Sequence, residues 1–119
     1  MKPGLTVVLV AAVTAWLAAC ETTYEGKYDM ASGWRQAKVA ALEVDEQASR
    51  HAFKDCRSQW DADKARASSR FIVLSVREMN RRRSYIVAVP LTSSLAVGDR
   101  VYMNARDCSA QVMPRAEGP

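Results

Sequence analysis

The 119-residue chain is poor in the groups that do chemistry. It has a single histidine, His51, and it lacks a GxSxG or HExxH pattern, a CxxC pair and a glycine-rich phosphate loop. Its carboxylates are scattered through polar stretches. Catalysis needs a nucleophile with a base, paired carboxylates in a pocket, or an open metal site, so these absences argue against an enzyme and against a bound metal or cofactor. His51 lies five residues before Cys56 in a charged stretch and reads as a solvated side chain. Asp61 and Asp63 lack the glycine and the bidentate glutamate of an EF-hand loop and read as solvated charge. Strong net charge is missing too: +4 is mild and does not call for nucleic acid. No internal repeat is evident. The one long apolar run, Leu5 to Leu17, has thirteen residues, against about 20 for a helix that crosses a bilayer.

What is present at the N-terminus is ordered like a signal peptide. Met1 and Lys2 give a basic start, the apolar run follows, and the small residues Ala18 and Ala19 stand before Cys20. Leu17-Ala18-Ala19-Cys20 resembles the lipobox of bacterial lipoproteins. The resemblance implies that residues 1–19 are a leader, that the Cys20 sulfur receives a diacylglyceryl group, and that cleavage frees an amino terminus that is acylated in turn. Two or three acyl chains hold a protein on a membrane without a spanning helix. Position 21 is Glu rather than the Asp that resembles an inner-membrane retention signal, so the expected location is the periplasmic face of the outer membrane. A plain secretory signal and a fortuitous apolar segment are the competing readings.

On that resemblance, removing residues 1–19 takes away Lys2 and no acid, leaving 16 basic and 13 acidic side chains and a net charge of +3. Cys56 and Cys108 remain as an even pair in an oxidising compartment, where a disulfide is the expected state. Closing a loop of about 50 residues contributes roughly 4 kcal/mol in the chain-entropy model. Two free thiols or a metal site are the alternatives.

Residues 20–33 are polar and read as a flexible tether, with Tyr24 and Tyr28 either at headgroup level or on the edge of the domain. A β-rich domain is expected over 34–114, followed by a disordered tail, 115–119. Trp34 to Val44 fits either helix or strand; strand is preferred because Ala37, Val39 and Ala41 alternate with polar residues and the rest of the domain is β. In 45–68, Ala48, Ala52, Cys56 and Trp60 have helical spacing, against a short strand through Phe53 followed by a charged loop. Phe71 to Met79 and Ser84 to Leu91 form a hairpin interrupted by Asn80 to Arg83, with Pro90 at an edge or bulge. Leu95 to Asn104 supplies a turn at Gly98-Asp99 and a strand from Arg100, with Leu95, Val97 and Val101 inward. A last short strand falls near Ala110 to Met113. The fold class is mainly β, a small SH3-like or OB-like barrel or half-barrel, with one helix in 45–68 as an option. The segment Leu95 to Asn104 also resembles the C-terminal domain of SlyB-type outer-membrane lipoproteins, although their glycine zipper is absent here.

Arg77, Arg81, Arg82 and Arg83 surround the hairpin turn. As guanidiniums standing in water they form a candidate contact for anionic surfaces such as lipopolysaccharide phosphates, anionic lipid or peptidoglycan carboxylates. The competing reading is a solvated turn whose charges keep a strand edge from aggregating. The expected function is a membrane-anchored periplasmic lipoprotein with a non-enzymatic binding or structural role in the cell envelope. Its partners would be the membrane, through the lipid on Cys20, and an envelope protein, lipopolysaccharide or peptidoglycan. A small lipoprotein inhibitor of a hydrolase such as lysozyme is one alternative, but those inhibitors resemble one another in a Ser-Gly-x-x-Tyr loop that Ser32-Gly33-Trp34 does not complete. An accessory subunit of a secretion or pilus machine is the other.

Overall fold

The computed structural model describes residues 22–60 and 69–116. They fall into two units divided between Ser32 and Gly33. Residues 1–19, expected as a leader, together with Cys20, Asp61, Asp63 and the last three residues of the expected tail, lie outside the described residues.

The segment expected as a flexible tether carries a small hairpin of its own. Strands β1 (Thr23–Tyr24) and β2 (Tyr28–Asp29) pair antiparallel. Glu25 and Gly26 turn the chain with φ of 52° and 68°, and the Thr23 hydroxyl donates to Asp29 at 2.7 Å. A 3-10 turn, Met30–Ser32, completes the unit. Gly26, which has no Cβ to clash at positive φ, lets the tight turn form.

The second unit is mainly β. It contains β3 (Trp34–Ala41), α1 (Glu46–His51), β4 (Lys54–Asp55), β5 (Ser69–Glu78), β6 (Arg81–Pro90), β7 (Arg100–Asn104) and β8 (Met113–Pro114). In β3 the alternation prevails over helix propensity, for Ala37 and Val39 are buried while Gln36, Lys38 and Ala40 are exposed. Both readings of 45–60 are realised in part. Asp45 caps α1 by accepting from Ala48 N at 2.7 Å, but α1 buries none of its residues. With no face to pack, the helix ends after six residues, and the chain passes through Phe53 into β4 and a 3-10 turn, Cys56–Gln59. Asp55 caps that turn, and the hydrogen bonds and charge of Arg57 hold its carboxyl below the usual carboxylate range.

The six strands of this sheet run in the order β4-β6-β5-β3-β7-β8, antiparallel except for β4 beside β6. One face carries the main core: Ile72, Leu74 and Val76 of β5, Tyr85, Val87 and Val89 of β6, Ala37 and Val39, Val101 and Met103, and Val112. Val73, Ile86 and Tyr102 are buried on the other face, which explains why β5 begins as an unbroken apolar run rather than an alternating one. Pro90 ends β6, where its missing amide costs nothing. One inward position expected from the sequence is corrected: Val97 is exposed, because Gly98 (φ 93°) and Asp99 turn the chain immediately after it. Leu91, expected to end the second strand of the hairpin, stands exposed just beyond the end of β6. The tail is also shorter than expected, since Arg115 N donates to Arg100 O at 3.1 Å.

Among the described residues no ladder joins β8 back to β4, so the sheet is a curled half-barrel rather than a closed one. In a flat sheet β4 and β7 would stand about 19 Å apart, four strand spacings. Instead Lys54 Nζ donates to Ala105 O at 2.9 Å, and Cys56 is bonded to Cys108 with an S–S distance of 2.07 Å. The bridge fastens the turn after β4 to the loop after β7, so covalent chemistry stands where a barrel would have backbone pairing.

Candidate functional site

The hairpin of β5 and β6 turns on Met79 and Asn80 alone, since Glu78 is paired with Arg81. The arginines expected in a loop are therefore strand residues, and strand geometry sends alternate ones to opposite faces. Arg83 lies on the core face. It donates to Glu78 at 3.1 Å, and its guanidinium sits 4.1 Å from the Phe53 ring centroid. Phe53 meets Tyr85 edge-on at 5.6 Å. Glu78 also pairs with Arg35 Nε at 3.4 Å and accepts from the Tyr85 hydroxyl at 3.3 Å. Burial, together with the Glu78 charge, pushes the Tyr85 phenol up. This cluster seals the end of the core, and Arg83 is occupied by it.

Arg77 and Arg82 are direct cross-strand partners on the opposite face, and both are exposed. The register extends that face across the sheet. Lys38 stands opposite Ser75 on one side and Arg100 on the other, and Ser75 stands opposite Ser84. Arg115 continues beyond Arg100, with its guanidinium 5.7 Å from the Tyr102 ring centroid. An open depression of about 280 Å³ is lined by Gln36, Lys38, Ser75, Arg77, Arg82 and Arg115.

Five cations thus share one face: Lys38, Arg77, Arg82, Arg100 and Arg115. Among the described residues β3, β5, β6, β7 and β8 contribute no carboxylate to it. Asp55, on β4 at the far edge, is held by Arg57 at 2.6 Å. Lys38, Arg77, Arg82 and Arg100 make no ion pair among the described residues. Like charges set directly opposite each other repel, and this face keeps two such pairs, Arg77 with Arg82 and Lys38 with Arg100. Chemically the arrangement offers guanidinium forks of the geometry that takes phosphate or carboxylate in bidentate fashion.

Of the four arginines singled out in the sequence, the face collects Arg77 and Arg82. Arg81 lies at the exposed start of β6 on the other side. Lys38, Arg100 and Arg115 escaped sequence reasoning. Their outward positions follow from alternation, but their convergence depends on β3 lying between β5 and β7, which no local pattern encodes. His51 is exposed at the end of α1, and among the described residues no group of His, Cys, Asp or Glu side chains converges to hold a metal. Comparison with protein-family models, curated proteins and solved structures finds no match for this chain.

Proposed function

We propose that this chain is an envelope lipoprotein, anchored through acylated Cys20 on the periplasmic face of the bacterial outer membrane, whose half-barrel holds anionic envelope material on its cationic sheet face. The role is binding rather than catalysis. The observation that carries this reading is the face itself: five cations with no carboxylate among them on the five strands that form it, including two repelling cross-strand pairs that an anion would relieve. The leader and lipobox supply the location, and the Cys56–Cys108 bridge suits an oxidising compartment.

The test uses protein extracted in detergent from bacterial membranes. Its intact mass should equal residues 20–119 plus acyl chains, with two thiols appearing only after reduction. Incubated with envelope fractions, this protein should be retained in low salt and released in high salt, as screened charge contacts require. A Lys38→Ser/Arg100→Ser double variant should be retained several-fold less. An unacylated mass with three free thiols would remove the anchor, and equal retention of the double variant would remove the face.

A further inference from the structure

Met79 is the most exposed large apolar side chain described, at 96 % of its free accessibility. It sits at the tip of the β5–β6 hairpin with φ of 55°, a left-handed position that Gly and Asn fill far more readily than a flexible apolar residue. Asn80 follows it directly, so the residue better suited to that backbone is one position away. Around the tip stand Arg77, Arg81 and Arg82, all exposed, and Arg77, Arg81 and Arg82 have no ion-pair partner among the described residues.

We infer that this tip is a membrane-docking device whose occupant is an anionic phospholipid bilayer. Met79 enters the acyl boundary and the three arginines bind headgroup phosphates around it. Two independent features choose a bilayer over a soluble anion. A phosphate or carboxylate ligand would use the arginines and gain nothing from an apolar side chain held out in water, whereas a bilayer presents negative charge at its surface and hydrocarbon a few ångströms beneath. The shape agrees, since Met79 and Asn80 alone make the turn, with Arg81 one position and the Arg77–Arg82 pair two positions behind it, at the depth of the headgroups. Glu78, the acidic residue of the turn, is already held by Arg35 and Arg83 and leaves the tip cationic.

This inference stands on the hairpin and does not need the acyl anchor, so it is tested without one. The chain from residue 20, which contains every described element, would carry Cys20→Ser and be sedimented with vesicles. It should bind equimolar phosphatidylglycerol and phosphatidylcholine and leave phosphatidylcholine alone. Arg77→Ser and Arg82→Ser should each weaken binding about fivefold, the effect of one basic residue at an anionic surface. Met79→Ser should weaken it about tenfold, as loss of one partly buried apolar side chain requires, and Met79→Leu should restore it. Arg50→Ser, on α1, should bind as the parent does. Equal binding to both vesicle types would overturn the inference. So would a Met79→Ser protein that binds like the parent, because the arginines would then be reading charge alone.

Discussion

Glu78 shows how one carboxylate divides the arginines of this chain between structure and surface. Lying on the core side of the hairpin, it receives Arg35, Arg83 and the Tyr85 hydroxyl, and so withdraws Arg83 from any external ligand. Glu78→Gln keeps the shape but removes the charge from two partly buried guanidiniums. The expected cost is about 1–2 kcal/mol in a urea unfolding curve. The same substitution gives a second readout. The Tyr85 phenol is raised first by burial and then by the Glu78 charge, so Glu78→Gln should lower its titration midpoint, followed by ultraviolet absorbance, while burial keeps it above the ordinary value. A phenol whose folded pKa is raised contributes stability below the unfolded value of about 10 and loses it as pH rises through the folded value. Parent protein should therefore be the more sensitive of the two in that alkaline window.

At the scale of elements, the joints decide how the strands meet. Gly33 opens the second unit with φ of 103°, and its carbonyl accepts from Ala105 N at 2.8 Å, tying the start of β3 to the end of β7. A Cβ there would lie 2.5 Å from Asn104 Oδ1 and 3.0 Å from Arg106 Cγ. Asn104 Oδ1 is not free to move, since it accepts from the amides of Arg106 and Asp107 in the turn that leads to Cys108. Gly33→Ala should consequently cost about 1–3 kcal/mol, measured by thermal or urea unfolding, whereas Gly26→Ala has open space around it and meets only its backbone penalty.

The strands themselves were legible for two reasons: β3 alternates in burial, with Ala37 and Val39 inward around the exposed Lys38, and the centres of β5, β6 and β7 are apolar runs in which Val73, Ile86 and Tyr102 are buried between core residues. The bridge could be anticipated once Cys20 was assigned to lipid. Three things could not be read. The short length of α1 goes with its burying none of its residues, which helical spacing alone does not reveal. The turn was misjudged because a left-handed Met79 follows no sequence preference, and moving the turn by a residue or two changes which arginines share a face. The cationic face needed the strand order, a property of long-range pairing.

For the molecule as a whole, curvature and covalent closure are one problem. An open six-stranded sheet has two edges, and here both are short strands, β4 and β8, of two residues each. Cys56–Cys108 and the Lys54–Ala105 hydrogen bond fasten the sheet in its curled form. Replacing both cysteines by serine should lower stability by about 4 kcal/mol, the loop-closure value for residues 52 apart. It should also make the protein more prone to aggregate as the longer edge of β6 is uncovered. An unchanged melting temperature for the Cys56→Ser/Cys108→Ser protein would show that the clasp is dispensable.

The bridge also fixes how the chain would respond to mechanical load. Tension applied at its two ends runs along the backbone to Cys56, crosses the two sulfur atoms and leaves from Cys108. β5, β6 and β7 lie inside the bypassed ring, so about 180 Å of contour length cannot be drawn out while the bridge is intact. A domain fastened at one end to a surface and gripped at the other would yield at β3 and β8 first, and the hairpin that carries Met79, Arg77 and Arg82 would be the last to feel the pull.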